Sequence, residues 1–315
     1  MNYRHHYHAG NFADVMKHAV LVQLVRALQR KDKGFLYLDT HAGRGSYDLT
    51  AAHRGDTLER KPEHPDGIGR LTKVEAGVPT AFHSALEPAP KNPSGRDARF
   101  HSTALADYLR LVRAFDHRSG NLDATNLRFY PGSPALVCAL MRPQDRMALC
   151  EMHPDEFQSL RNEFKKQPNV SVHELDGYTA LRAMLPAPEK RALALIDPPY
   201  ESQNEYEKIT QSLGDALRRM SSATYAVWYP LTERARANEF LDKLAMLNPP
   251  PTLAAELAIA GETEPTAPKM RGCGLAIINP PWQIDQILKP MLADLALHLA
   301  QAPDAKSTLE WIVRE

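Results

Sequence analysis

A buried strand that runs directly into a glycine-containing turn is encoded by FLYLDTHAGRG, residues Phe35–Gly45. Five mostly apolar residues end at Asp39, and Gly43 and Gly45 follow shortly afterwards. Short apolar runs of this kind form strands that are buried on both faces, and glycines let the backbone turn close to a ligand. This stretch therefore predicts the first strand of a sheet, with a ligand-binding turn at its end.

Six further apolar runs follow, so the chain contains seven predicted strands. Helical patterns separate most of them, and strands that alternate with helices favour a doubly wound, mostly parallel α/β sheet. A proline-containing loop joins the last two strands, so we expect the last strand to be antiparallel to its neighbour. The six runs are Met147–Glu151, Val170–Leu175, Ala192–Asp197, Tyr225–Tyr229, Thr252–Ala260 and Gly274–Asn279. The helical patterns lie at Pro154–Lys166, Thr179–Met184, Glu205–Met220 and Thr232–Leu247.

The alternation of strands and helices is interrupted between residues 51 and 128. Prolines forbid long helices in the first part of this segment, and only Thr103–Phe115 has a clear amphipathic helical pattern. We therefore predict a core built from residues 1–50 and 129–315. Residues 51–128 are predicted to form an inserted helical subdomain with a mobile, proline-rich loop at residues 76–97.

The composition is that of a folded globular protein. The chain has 315 residues, of which 43% are hydrophobic, and its 38 basic and 38 acidic residues give no net charge. These proportions exclude a disordered or fibrous chain, and they confine any basic, nucleic-acid-binding face to a local segment. Because there is no apolar run of membrane-spanning length and no apolar N-terminal segment, we expect a cytoplasmic protein without a membrane partner.

The N-terminal segment is predicted to form a helix that Asn11 caps and that extends to about Lys31. Lys17 and His18 lie about 100° apart on this helix, so we expect only one of them to face inward. The segment before the helix is aromatic and basic, including Tyr3-Arg4, which favours contact with nucleic acid or with a carboxylate ligand.

Three histidines near the N-terminus have the spacing of metal ligands: His5, His6 and His8. No Cys or carboxylate cluster in the sequence around them completes a coordination set. We therefore predict no metal site.

The strongest chemical signal is Asp197-Pro198-Pro199-Tyr200, which follows the fourth predicted strand. Ligands of doubly wound sheets bind outside the carboxyl ends of the strands. Because prolines stiffen the backbone and lack N–H donors, the Asp197 carboxylate and the Pro198 carbonyl can both accept hydrogen bonds from one amino group. Tyr200 can stack on a planar base. The alternative is a surface turn in which two prolines end a strand.

A second element of the same type, Asn279-Pro280-Pro281-Trp282, ends the last predicted strand. Only Asp197 is preceded by the three strands that would build a cofactor site. We therefore assign the chemical role to Asp197 and a structural role to Asn279.

Acidic residues also end the second and third predicted strands. Glu151 is placed to accept hydrogen bonds from both ribose hydroxyls of a nucleoside, and Asp176-Gly177 is placed to hold an adenine amino group. Each acid can alternatively cap the helix that follows it. A domain that binds a nicotinamide dinucleotide would share the glycines and the ribose acid, but it would not need Asp197-Pro198-Pro199-Tyr200.

The tetrapeptide at Asp197 resembles the signature of methyltransferases that alkylate the exocyclic amine of adenine. Nearly the whole chain resembles the RlmJ-type family, bacterial enzymes that methylate N6 of an adenine in large-subunit ribosomal RNA. The matching motifs are Tyr3-Arg4-His5, His8-Ala9-Gly10-Asn11, Ala13-Asp14-Val15, Lys17-His18, Phe35–Gly43, Tyr130-Pro131-Gly132-Ser133-Pro134, Glu151-Met152-His153-Pro154, Asp176-Gly177, Ile196–Tyr200, Ala226–Pro230, Ile278–Trp282 and Trp311-Ile312-Val313.

The resemblance implies a monomer with a Rossmann-like class I methyltransferase core and a small helical insertion. It implies S-adenosyl-L-methionine as methyl donor, S-adenosylhomocysteine as product, and 23S ribosomal RNA, naked or early in assembly, as partner. The implied catalytic residues are Asp197, Pro198 and Tyr200. The implied cofactor-binding residues are His18, His41, Ser133, Glu151, Asp176, Gly177 and Asp197, and the implied RNA-binding residues are Tyr3, Arg4 and Tyr200.

Several other functions fit parts of this pattern. A DNA adenine methyltransferase or a protein glutamine methyltransferase would use the same pocket and differ in substrate. An NAD-dependent oxidoreductase shares the fold, and an RNA-binding module could retain the pocket without catalysis. The N-terminal motif favours RNA, and the complete set of pocket residues favours an enzyme.

Overall fold

The computed structural model describes residues 7–51, 61–75, 102–202, 204–261 and 270–314. Within these residues the chain forms ten strands. They are β1 (Leu36–Asp39), β2 (Ser46–Asp48), β3 (Phe129–Pro131), β4 (Arg146–Cys150), β5 (Val170–His173), β6 (Ala192–Ile196), β7 (Thr224–Pro230), β8 (Thr252–Ala258), β9 (Gly272–Ile278) and β10 (Lys306–Val313).

The same part of the chain contains nine α-helices. They are α1 (Phe12–Leu28), α2 (Ile68–Glu75), α3 (Thr103–Arg118), α4 (Ser133–Leu140), α5 (Pro154–Phe164), α6 (Gly177–Met184), α7 (Glu205–Arg219), α8 (Arg234–Ala245) and α9 (Ile284–Leu299). None of the helices in the described ranges is long and apolar enough to cross a membrane.

Eight strands form one sheet in the order β10-β8-β9-β7-β6-β1-β4-β5, and β2 pairs separately with β3. The five strands from β7 to β5 are parallel, whereas β9 is antiparallel to both of its neighbours. The predicted Rossmann-like, mostly parallel α/β sheet is therefore confirmed, including its antiparallel strand. The predicted number of strands in this sheet, seven, was one too low, because β10 adds an eighth strand at the edge, antiparallel to β8. The sequence of β10 mixes polar and apolar residues, as an exposed edge strand permits, so it lacks the apolar run by which the others were recognised.

The direction of β9 separates the two Pro-Pro motifs. Since β9 is antiparallel to β7, Ile278 pairs with Tyr225 near the start of β7. Asp197 lies at the opposite end of the strands. Asn279 donates hydrogen bonds from its side chain to the carbonyls of Ser222 and Ala223. The observed position of Asn279 agrees with the structural role predicted for it.

Helix α1 lies at the centre of the hydrophobic core, with fifteen of its seventeen residues buried. Asn11 caps it as predicted, accepting a hydrogen bond from the Asp14 amide at 2.9 Å. Helix α3 of the inserted segment packs against α1 and shares its core. Arg26 binds Asp107 through two nitrogens, which adds polar contacts between these helices. The predicted loop at residues 76–97 lies outside the described residues.

A close approach between β9 and β7 requires a glycine at position 274. A Cβ atom on Gly274 would overlap the ring of Tyr229, whose hydroxyl donates to Glu256 at 2.9 Å. The absence of a side chain at Gly274 therefore leaves the space that the buried Tyr229 ring occupies.

We expect Gly274→Ala to lower the free energy of unfolding by about 1–3 kcal/mol, because the tyrosine ring or the backbone must move. Chemical denaturation measures this change. Gly214→Ala in α7 is the matched control, since its Cβ would make ordinary contacts with Leu247 at 3.4 Å and Arg218 at 3.8 Å, and alanine favours a helix. Equal stability of the two variants would contradict the packing argument.

Candidate functional site

A cavity of about 940 Å³ opens at the carboxyl ends of the parallel strands, beside the first turns of α1. Residues at or just beyond the ends of β1, β4, β6 and β7 contribute to its wall, because parallel strands end at the same edge of a sheet. Seven of the residues predicted for catalysis or cofactor binding line it: His18, His41, Ser133, Glu151, Asp197, Pro198 and Tyr200.

Lys17 is bonded to two carboxylates inside this cavity. Its Nζ donates to Asp14 at 2.8 Å and to Asp197 Oδ2 at 2.6 Å. Burial lowers the pKa of the Lys17 ammonium, but the two carboxylates outweigh burial and hold that pKa well above its ordinary value. Lys17 is therefore a permanent cation that fixes one oxygen of Asp197.

The expectation that only one of Lys17 and His18 faces inward was wrong, since both side chains are buried and line the cavity. Helix α1 is enclosed on most of its circumference, and the cavity extends around its first turns. The sequence showed an angle between the two residues, but not how far the surroundings wrap around the helix.

A chain of buried hydroxyl groups links His18 to the inserted segment. Tyr130 OH lies 2.8 Å from His18 Nδ1 and 2.8 Å from Tyr108 OH of α3. Within the described residues Tyr108 OH has no other polar partner. The Tyr108 hydroxyl hydrogen therefore forms a hydrogen bond only if Tyr108 donates to Tyr130. Tyr130 then donates to His18 Nδ1, which leaves the hydrogen of a neutral imidazole on Nε2. The insertion thereby orients a cavity residue.

Asp39 ends β1 beneath the cavity and is completely buried. Its Oδ2 accepts hydrogen bonds from Tyr37 OH and Ser133 Oγ, both at 2.7 Å, while Oδ1 has no partner in the described structure. Burial raises the pKa of Asp39 to about 6, although those two hydrogen bonds favour the ionised form. A buried polar atom without a partner, beside the cavity-lining Ser133, suits a site that is completed by a polar ligand.

Glu151 follows β4 and meets the glycine turn after β1. Its carboxylate accepts from the Gly43 amide at 2.8 Å and from the His153 amide at 2.7 Å. Burial raises the pKa of Glu151, and the backbone hydrogen bonds oppose this shift. On the same wall the Nδ1 atom of His41 lies 2.8 Å from Thr40 Oγ1, and burial lowers the pKa of His41.

Asp176 and Gly177 are not among the residues that line the cavity. The Asp176 carboxylate accepts from the Thr179 amide and hydroxyl, both at 2.9 Å, and so caps α6. Gly177 lets this helix approach β1, because a Cβ there would overlap the Thr40 carbonyl and the His41 ring. The two residues thus support the cavity wall from behind, and their direct contact with a cofactor stays a prediction.

Tyr200 belongs to an aromatic group on the other side of Asp197. Its ring centroid lies 5.1 Å from that of Tyr206 and 5.5 Å from that of Trp228, and its hydroxyl donates to the Trp228 carbonyl. Tyr200 has a left-handed φ of 52°, an uncommon conformation that occurs at functional sites. Trp228 was not among the predicted site residues, although an aromatic residue near the end of the fifth predicted strand was the available signal.

The N-terminal residues predicted to contact RNA, Tyr3 and Arg4, lie outside the described residues, as do His5 and His6. His8 is described, and its Nδ1 lies 2.9 Å from Glu63 Oε2. In the described ranges no group of three or more His, Cys, Asp or Glu residues is arranged to hold a metal ion.

The raised pKa of Asp39 predicts a pH dependence of stability. A carboxyl with a folded pKa of about 6 and an ordinary pKa of 3.8 binds its proton more tightly in the folded state, so stability falls as pH rises through this range. We expect this carboxyl to reduce the free energy of unfolding by about 1 kcal/mol between pH 5 and 7.5. Asp39→Asn removes this contribution, and denaturation curves at both pH values measure it. The same pH dependence in both proteins would contradict the assignment.

Comparisons with known proteins agree with this architecture. The model of the family described as "Ribosomal RNA large subunit methyltransferase D, RlmJ" matches residues 32–117 and 101–313. The ribosomal RNA large subunit methyltransferases J of Escherichia coli K12 and Haemophilus influenzae are 35% and 33% identical to this chain, each over the full length of both proteins. The crystal structure of protein LPL1258 from Legionella pneumophila has a TM-score of 0.76 and 33% identity, covering 96% of this chain and 98% of that one. The resemblance noted in the sequence is thus confirmed, and the chain belongs to the RlmJ family of ribosomal RNA large subunit methyltransferases.

Proposed function

We propose that the protein transfers a methyl group from S-adenosyl-L-methionine to N6 of an adenine in 23S ribosomal RNA. The observation that carries this proposal is the position of Asp197. Its carboxylate is bonded to Lys17 at 2.6 Å, in a cavity with a polar wall on one side and aromatic rings on the other. A donor and a flat acceptor base can therefore meet at this residue.

The polar wall suits the methyl donor. Glu151 and the Gly43 turn lie over β4 and β1, where a nucleoside binds in sheets of this type. His18 and Ser133 add polar groups to this wall. S-adenosyl-L-methionine supplies a methyl group on a sulfonium, which is an activated electrophile and needs no metal ion for transfer.

The aromatic wall suits the acceptor. Tyr200 and Trp228 lie over β6 and β7, on the other side of Asp197 from the donor half. A base that stacks on an aromatic side chain gains about 1–3 kcal/mol, which offsets part of the cost of taking it out of a paired or stacked state. The aromatic wall therefore favours an adenine that is neither paired nor stacked with another base.

Asp197 is placed to orient the attacking nitrogen. Lys17 bonds Oδ2, and Oδ1 accepts no hydrogen bond from the described residues, so Oδ1 can accept from N6–H together with the Pro198 carbonyl. These two hydrogen bonds hold the nitrogen with its lone pair directed at the methyl carbon. The N–C bond forms as the C–S bond breaks, which leaves S-adenosylhomocysteine. N6 then loses a proton to Asp197 or through it to water.

Lys17 holds Asp197 in place before the base arrives. Its ammonium donates to Asp14 of the same helix as well as to Asp197, so the position of this carboxylate does not depend on the substrate. Because the pKa of Lys17 is held well above its ordinary value, this pair persists through the neutral pH range.

The proposed partner is 23S ribosomal RNA, either naked or early in assembly, and the proposed enzyme is a cytoplasmic monomer. The names of the two full-length relatives support a large-subunit RNA substrate. The test is methyl transfer from labelled S-adenosyl-L-methionine to in-vitro transcribed 23S RNA, followed by nucleoside analysis. Label in N6-methyladenosine at one site supports the proposal. Label in another nucleoside, in DNA or in protein contradicts its substrate, and donor binding without transfer to any RNA favours a non-catalytic module.

We expect Asp197→Asn to lower kcat by about 10²–10⁴-fold, because an amide is a poor proton acceptor and a weaker partner for Lys17. Single-turnover methylation measures the rate, and a thermal melt checks the fold. Asp215→Asn, a carboxylate on α7 that does not line the cavity, is the matched control. A normal rate in Asp197→Asn would contradict the proposed mechanism.

The two Pro-Pro-aromatic motifs allow a second comparison. We expect Tyr200→Ala to slow methyl transfer at least tenfold, because the acceptor base loses its stacking surface. Trp282→Ala is the control, since Trp282 is 79% exposed and lies at the opposite edge of the sheet. Initial rates at saturating donor distinguish the two variants, and equal rates would exclude Tyr200 from base binding.

A further inference from the structure

Arg236 is an exposed cation on the rim of the cavity. Its side chain is 56% exposed and forms an ion pair with Glu233 at 3.3 Å, and Glu233 is 68% exposed. Both residues line the cavity. Exposed pairs of this kind contribute about 0–1 kcal/mol, so another anion can replace Glu233 at little cost.

Arg236 lies on the acceptor side. It follows β7, and the sheet order places β7 on the other side of β6 from the donor-binding strands β1 and β4. Burial raises the pKa of the Tyr206 phenol and the charge of Arg236 opposes that shift, which places Arg236 near the aromatic wall. In the proposed function the donor binds over β1 and β4, so an anion within reach of Arg236 belongs to the acceptor.

Two other cations of the region, Lys17 and Arg234, are bonded to carboxylates of the protein. Among the described lining residues the Lys and Arg side chains are Lys17, Lys61 and Arg236. Lys17 is bonded to two carboxylates. Arg234, two residues before Arg236, is turned away and bonds Glu256 through two nitrogens at 2.9 and 2.6 Å. Arg236 is thus the guanidinium that the first turn of α8 presents to the cavity.

We propose that Arg236 binds a phosphodiester group of the RNA next to the target adenosine and gives up its ion pair with Glu233 when it does so. The inference rests on the proposed function and adds a substrate-positioning residue to it. Arginine suits this role because its planar guanidinium can donate two hydrogen bonds to phosphate oxygens. The phosphodiester is the anionic group that every RNA acceptor carries beside its base, whatever the surrounding sequence.

The test compares three variants on one RNA fragment that the wild-type protein methylates. We expect Arg236→Gln to raise KM for RNA about three- to tenfold, with kcat and donor affinity unchanged. We also expect the slope of log(kcat/KM) against log salt concentration to become less negative by about one unit, because one phosphate contact is lost. Glu233→Gln should lower KM for RNA, since it removes the competing carboxylate.

Arg218→Gln is the matched control, because Arg218 forms the same type of exposed pair with Asp215 three residues away and does not line the cavity. Its KM and salt slope should equal those of the wild type. If Arg236→Gln also behaves like the wild type, or lowers kcat without changing KM or the salt slope, the inference is overturned while the proposed function stands. If the wild-type protein methylates no RNA, both are overturned together.

Discussion

A buried ammonium group joins helix α1, the sheet and the Asp197 motif of this protein. Lys17 lies on α1 and binds Asp14 of the same helix and Asp197, 180 residues away. An unpaired charge at such a depth would cost several kcal/mol, and the two carboxylates offset this cost. The same pair determines which oxygen of Asp197 remains available to a substrate. Stability and chemistry therefore rely on one set of contacts.

The sheet divides the cavity into two halves around this pair. Strands β1 and β4 carry polar groups and tight turns, while β6 and β7 end in aromatic residues. Asp197 lies at the boundary, at the end of β6. This division explains how one continuous cavity can hold two chemically different ligands. It also assigns the rim residue Arg236 to the acceptor half of the cavity.

The inserted segment contributes to the core as well as to the surface. Helix α3 packs on α1, and Tyr108 reaches His18 through Tyr130. The hydroxyl chain sets the tautomer of a neutral His18 from a helix that the sequence analysis placed in a separate subdomain. Such a link could not be read from spacing, because its three members are separated by 112 and 22 residues along the chain.

Local patterns in the sequence determined seven of the eight strands of the large sheet, the cap of α1 and the prominence of Asp197-Pro198-Pro199-Tyr200. These features depend on periodicity, turn residues and neighbouring side chains, which the chain carries wherever it folds. The tertiary structure decided what depends on distant segments. The antiparallel direction of β9 places Asn279 and Trp282 at the far edge of the sheet, and the enclosure of α1 buries both Lys17 and His18. The pairing of Lys17 with Asp197 also arises only when the sheet and the helix pack together. This packing buries the two opposite charges, and burial makes them depend on each other.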